Sequence, residues 1–185
     1  MNDALKCILH AHLPNLRELK LERGPARDLE DIRYHYVSFL DFVAISGQPL
    51  ELLDARNVDH MLIKAISGIR TLRSLRLTAA RFDDLTLLSD LPDLRDFTLS
   101  HLKQCPRVWP ATLCNFSCTG RMHHSTLGEI AVAAAAGYLP SMRFLSVKTL
   151  GLEESEAGRA HDEGTCLAAH LASVPNLSVQ IRQVD

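Results

Sequence analysis

The stretch Leu91-Pro92-Asp93-Leu94-Arg95-Asp96-Phe97-Thr98-Leu99-Ser100 decides the reading of this chain, because it recurs. Near the start stands Leu13-Pro14-Asn15-Leu16-Arg17-Glu18-Leu19-Lys20-Leu21. Ile69-Arg70-Thr71-Leu72-Arg73-Ser74-Leu75-Arg76-Leu77 and Leu139-Pro140-Ser141-Met142-Arg143-Phe144-Leu145-Ser146-Val147 follow the same pattern. Each places apolar residues at i, i+3, i+6 and i+8. The last pair alternates with period two, as in a strand with one buried face, and the earlier spacings fit a turn leading into it. Pro49 to Ala55, Pro110 to Cys118 and Val174 to Ile181 fit the template less fully. The second apolar slots are Leu16, Leu50, Leu72, Leu94, Leu113, Met142 and Leu177, at intervals of 34, 22, 22, 19, 29 and 35 residues.

The segments between the strands read as helices and turns. Asp3 to His12 has a short apolar stripe of Leu5, Ile8 and Leu9. Asp28 is placed to cap a helix that carries Leu29, Ile32, Tyr36, Phe39, Leu40 and Val43 and closes at Gly47. Val58 to Ser67 reads as a helix with Met61, Leu62, Ala65 and Ile66 inward and Gly68 past its end. Asp84 to Ser89 is a short helix or turn. Thr126 and Glu129 have the spacing of a capping box, before an alanine-rich helix from Leu127 to Ala136 ended by Gly137. Residues 151–164 form a long acidic loop, expected to be solvated or to serve in docking, and Thr165 to Val174 a last helix.

A strand with one return helix cannot bury both its faces. Stacked units can, and they place their strands side by side in a parallel sheet with helices and turns outside. The expected fold is therefore α/β: a right-handed solenoid, horseshoe-like, with about seven parallel strands on the concave side. One domain is expected to span residues 1–185. The pattern resembles the leucine-rich repeat, Leu-x-x-Leu-x-Leu-x-x-Asn/Cys-x-Leu, over nearly the whole chain. The irregular unit lengths and the Leu/Val-Pro-Asn/Asp/Ser-Leu/Met phrase are similar to the repeats attached to F-box proteins. One departure is clear. The Asn/Cys slot holds Gly24, Val58, Ala80, Leu102, Arg121, Leu150 and Val184, so no asparagine ladder is available to the buried turns.

Composition narrows the function. Of 185 residues 46% are hydrophobic, too many for a disordered chain, and the formal net charge is -2. No overall field favours nucleic acid or an anionic membrane. Five scattered cysteines point to free thiols in a reducing compartment, so the cytoplasm or nucleus is the expected location. Ile130 to Met142, the longest uncharged helical run, is too short to span a bilayer.

No catalytic constellation stands out, and no phosphate-binding loop or dinucleotide fingerprint is present. Cys114, Cys118, His123 and His124 invite a zinc reading. In the strand template, however, Cys114 and Cys118 stand roughly 13 Å apart, too far to share a metal. Neither metal nor cofactor is expected. Trp109 is expected to cover an edge of the core, with an exposed anchor as the rival reading.

A non-catalytic module that binds a protein partner is the expected function. The F-box likeness implies substrate recognition for a ubiquitin ligase, with the adaptor-binding part on another chain or outside this stretch. A structural subunit of a larger complex is a further alternative. The residues beside the inward leucines define the binding face: Glu18, Lys20 and Glu22; Leu52, Asp54 and Arg56; Ser74, Arg76 and Thr78; Asp96, Thr98 and Ser100. Asn115, Ser117 and Thr119, then Phe144, Ser146 and Lys148, then Ser178, Gln180 and Arg182 continue it. Lys20, Asp54, Arg56, Arg76, Asp96, Phe144 and Lys148 are its candidate contact residues. Mixed signs on this face favour a protein over a polyanion. Asp54 and Asp96 are also placed to neutralise the arginines across neighbouring strands.

Overall fold

Parallel neighbours cannot be joined by a hairpin, so every link between repeats must cross over. A computed structural model describes residues 13, 15–21, 29–78, 85–100, 102, 105–106, 108–122, 124–150, 171, 174 and 176–184. It shows one open sheet of seven strands, every neighbouring pair parallel and in sequence order. The strands are β1 (Glu18–Leu21), β2 (Leu52–Arg56), β3 (Ser74–Thr78), β4 (Asp96–Leu99), β5 (Asn115–Met122), β6 (Phe144–Leu150) and β7 (Ser178–Val184). Three α-helices are described: α1 (Leu29–Ser46), α2 (His60–Ser67) and α3 (His124–Ala135). A 3-10 helix, Leu85–Asp90, precedes β4. The expected helix at 3–12, the Asp28 cap, the acidic loop 151–164 and all but Leu171 and Val174 of the last helix lie outside the described residues.

The sheet aligns the template slot by slot. Leu19, Leu53, Leu75, Phe97, Phe116, Leu145 and Val179 form one cross-strand row. Leu21, Ala55, Leu77, Leu99, Cys118 and Val147 form the next inward row, and Ile181 of β7 pairs with Val147 in register. Phe39, Leu40 and Val43 of α1, Leu62, Ile63 and Ile66 of α2, and Leu127, Ile130 and Ala131 of α3 share one buried cluster with these rows. Each fully buried leucine contributes about 1.5–3 kcal/mol by leaving water. Leu16 and Leu19 were expected to be buried and are only half-buried: β1 is the edge strand of the described sheet, with β2 its one strand neighbour among the described residues.

The i+3 spacing has a local cause. A strand cannot turn two residues three apart to the same face without an irregularity. Here one carbonyl accepts two successive N–H groups from the next unit. Arg17 O takes those of Glu51 and Leu52, and Glu51 O takes those of Arg73 and Ser74. Arg73 O, Arg95 O and Cys114 O continue the series, with all ten bonds between 2.8 and 3.1 Å. Two donors share one acceptor where the turn passes into each strand, so the chain leaves the regular ladder there while the register beyond it stays one to one. Ahead of this point comes a tight turn. Leu72 N–H donates to Ile69 O and Met142 N–H to Leu139 O, both at 3.2 Å. Proline suits the second place of such a turn, which explains Pro140.

The missing asparagine ladder is replaced in two ways. Val58 and Leu102 occupy their slots as buried apolar residues. Threonine hydroxyls in the turns bridge to the preceding unit: Thr71 Oγ1 donates to Leu50 O at 2.8 Å and Thr112 Oγ1 to Leu94 O at 2.9 Å.

All three helices end at or just before their expected glycines, two of them with the glycine in the left-handed region. Gly47 and Gly137 adopt φ of 63° and 78°, where a side chain is strained. Gln48 N–H then bonds Val43 O, and Tyr138 N–H bonds Ala133 O, closing both last turns. Gly68 keeps φ at -74°; a Cβ there would stand 3.4 Å from Ala44 Cβ, so its role is the close approach of α2 to α1.

Three expectations change. Met61 is 45% exposed, because the buried stripe of α2 runs Leu62, Ile63, Ala65, Ile66. The cap of α2 is Asp59, whose carboxylate accepts from Leu62 N–H at 3.1 Å. Thr126 and Glu129 make no capping box, since α3 begins ahead of both at His124. Glu129 instead accepts from Cys105 N–H at 3.2 Å, tying α3 to the chain before β5. Among the described residues no helix is long and apolar enough to cross a membrane.

Candidate partner-binding face

Alternation turns every second strand residue away from the leucine core. The parallel register then aligns these residues into rows across the sheet. The first reads Glu18, Leu52, Ser74, Asp96, Asn115, Phe144, Ser178. The second reads Lys20, Asp54, Arg76, Thr98, Ser117, Ser146, Gln180. All are exposed or half-exposed.

Of the candidate contact residues, Lys20, Asp54 and Arg76 thus stand side by side on neighbouring strands. Asp96 and Phe144 share the first row, on either side of Asn115. Arg56 is exposed at the far end of β2. Lys148 holds its place in β6 opposite Arg182, while its side chain and the whole of Glu22 lie outside the described residues. Phe144 is half-buried. Ser100 leaves the face: it is buried, its N–H donating to Leu77 O at 3.0 Å as the chain turns off β4. In β5 the register shifts between Cys118 and Arg121, so Thr119 has no direct partner in β6.

The face is partly self-neutralised. Arg76 Nη1 lies 3.8 Å from Asp54 Oδ2. Among the described residues Asp96 pairs with no arginine; its carboxylate accepts from Asn115 Nδ2 on the next strand.

The sheet carries a second set of charges, outside the expected face. Arg17, Glu51, Arg73, Arg95 and Cys114 are the residues whose carbonyls form the double-acceptor ladder where the strands begin, and Arg143, whose carbonyl accepts from Ser178 N–H at 2.8 Å, continues the line. All four arginines are exposed. Glu51 bridges two of them, with Arg17 at 3.0 Å and Arg73 at 3.9 Å. The signal was present: an arginine follows the second apolar slot in Leu16-Arg17, Leu72-Arg73, Leu94-Arg95 and Met142-Arg143.

Trp109 covers the core edge and is no exposed anchor. It is 6% exposed and meets Phe116 edge-on, with ring centroids 5.1 Å apart. Its Nε1–H makes no hydrogen bond of ordinary geometry. The Cys105 thiol lies within its electrostatic reach. Burial pushes that thiol up to about 11, with the indole N–H opposing and the Glu129 carboxylate adding to the rise. Burial also raises the pKa of Cys118, whose Sγ approaches Gly120 O at 3.7 Å. Such thiols are poor nucleophiles. Among the described residues no group of three or more His, Cys, Asp or Glu could hold a metal ion, and His123 lies outside them.

Compared with known proteins, the chain matches no family model and no curated protein. The reading of its function therefore rests on the geometry of the sheet.

Proposed function

We propose that this chain is a non-catalytic solenoid of the leucine-rich-repeat kind, and that the exposed face of its sheet binds a protein partner. One observation carries the reading. Seven strands, paired in parallel and in sequence order, present two polar rows, while the described helices pack into the leucine cluster behind them. At about 4.8 Å per strand the rows extend over roughly 29 Å, a span suited to a protein surface more than to a small ligand. Isolated charges, small hydroxyls and one half-buried aromatic, Phe144, give such a surface its hydrogen bonds and an apolar contact. The resemblance in the repeated phrase supports the same reading, and the five scattered cysteines favour the cytoplasm or nucleus.

The test is a pull-down from the native source, followed by binding of the captured protein to Arg76→Glu and Phe144→Ala variants, each first shown to be folded. Weaker binding by either variant supports the reading. Binding equal to the parent by both would remove the face from consideration.

A further inference from the structure

The ridge where the strands begin has a different charge from the face beside it. Along it stand Arg17, Glu51, Arg73, Arg95, Cys114 and Arg143, one per strand from β1 to β6. Four cations against one anion leave an excess of three positive charges on this line, in a chain whose net charge is -2. Glu51 is occupied by Arg17 and Arg73. Arg95 and Arg143 form no ion pair among the described residues, although Asp93 and Asp96 are near in sequence. Asp96 is engaged by Asn115.

We propose that the ridge Arg73–Arg95–Arg143 binds an acidic, extended segment of a protein partner laid across the strands. This rests on the reading that the chain binds protein, and adds where and through what chemistry. Arg73 and Arg95 sit on adjacent strands, backbones about 4.8 Å apart, and Arg143 lies two strands further, about 10 Å on. An extended peptide places same-side residues roughly 6.8 Å apart, and flexible arginine side chains cover the difference. A guanidinium takes a carboxylate through two parallel hydrogen bonds. One exposed pair contributes little. Several on one chain act together, because the first contact raises the effective concentration of the rest.

The ridge fits a peptide better than a nucleic acid. A phosphate chain carries a charge on every link and would set one opposite Cys114, which is neutral and half-buried. It would also pass Glu18, Asp93 and Asp96 beside the ridge. A peptide can place neutral residues at those points and acidic ones at the arginines.

The experiment uses the full chain and a fluorescent twelve-residue peptide of alternating glutamate and serine, read by anisotropy at low salt. An alternating lysine–serine peptide and a uridine oligonucleotide of equal length are compared. The glutamate peptide is expected to bind, and the double variant R95E/R143E to weaken it at least tenfold. M61E/K64E/V132E, with the same change in net charge at exposed positions of α2 and α3, should weaken it less than threefold. Equal loss in both variants, no binding of the glutamate peptide, or tighter binding of the oligonucleotide would each overturn the proposal. None of these outcomes touches the Arg76 and Phe144 test of the face, so the two readings fail separately.

Discussion

Arg76 on β3 stands directly opposite Asp54 on β2, with Nη1 3.8 Å from Oδ2. The arginine side chain is 64% exposed and the aspartate 15%. The pair therefore ties neighbouring units together on the face proposed to bind, and leaves the guanidinium open to solvent. Being exposed on one side, it stabilises the fold only slightly.

Reversing it should show this. Arg76→Asp sets two carboxylates opposite each other and should cost about 1 kcal/mol. Adding Asp54→Arg should restore most of the loss. Urea titration of both variants decides; a double variant no more stable than the single one would remove the pairing as a cause.

Leu75→Ala should cost about 2–5 kcal/mol, because Leu75 is 1% exposed between Leu53 and Phe97 and its removal leaves a cavity. Thermal unfolding measures it. A loss below about 1 kcal/mol would mean that the leucine rows are not closely packed.

Gly47→Ala should cost about 1 kcal/mol through backbone strain alone, since nothing lies within 4 Å of the added methyl. Gly47→Asn should cost less, because asparagine tolerates that conformation. Equal losses for the two would contradict a backbone origin.

The Cys105 thiol, pushed up to about 11 from 9.0, gives a pH dependence with a definite sign. The folded state holds the proton more tightly than the unfolded chain. Its contribution is complete below pH 9 and is lost as pH rises through about 11. Cys105→Ser should flatten the fall in stability over that window, followed through the fluorescence of the single tryptophan, Trp109.

The rows were legible because the spacing i, i+3, i+6, i+8 fixes both the turn and the two inward positions. Leu75 opposite Leu53 and Phe97 follows from the template alone. The ends of elements were less legible. Asp59 caps α2 from a place the periodic pattern does not mark, and Glu129 left its apparent capping role for Cys105. Both depend on contacts or boundaries that composition does not record. Ser100 fits the alternation of β4 but is buried, because the chain turns there. Arg95 and Arg143 are less legible for another reason. The residue after the second apolar slot lies where the turn enters the strand, and its cross-strand neighbours are set only once the strands are aligned.

The most direct measurement of the proposed function is site-specific photocrosslinking in extract from the native source. A photoreactive residue is placed at Ser117, in the middle of the sheet face, or at Val132, exposed on α3. The account predicts a discrete protein adduct from Ser117 and none from Val132. Adducts from Val132 alone, or from neither position, would contradict it.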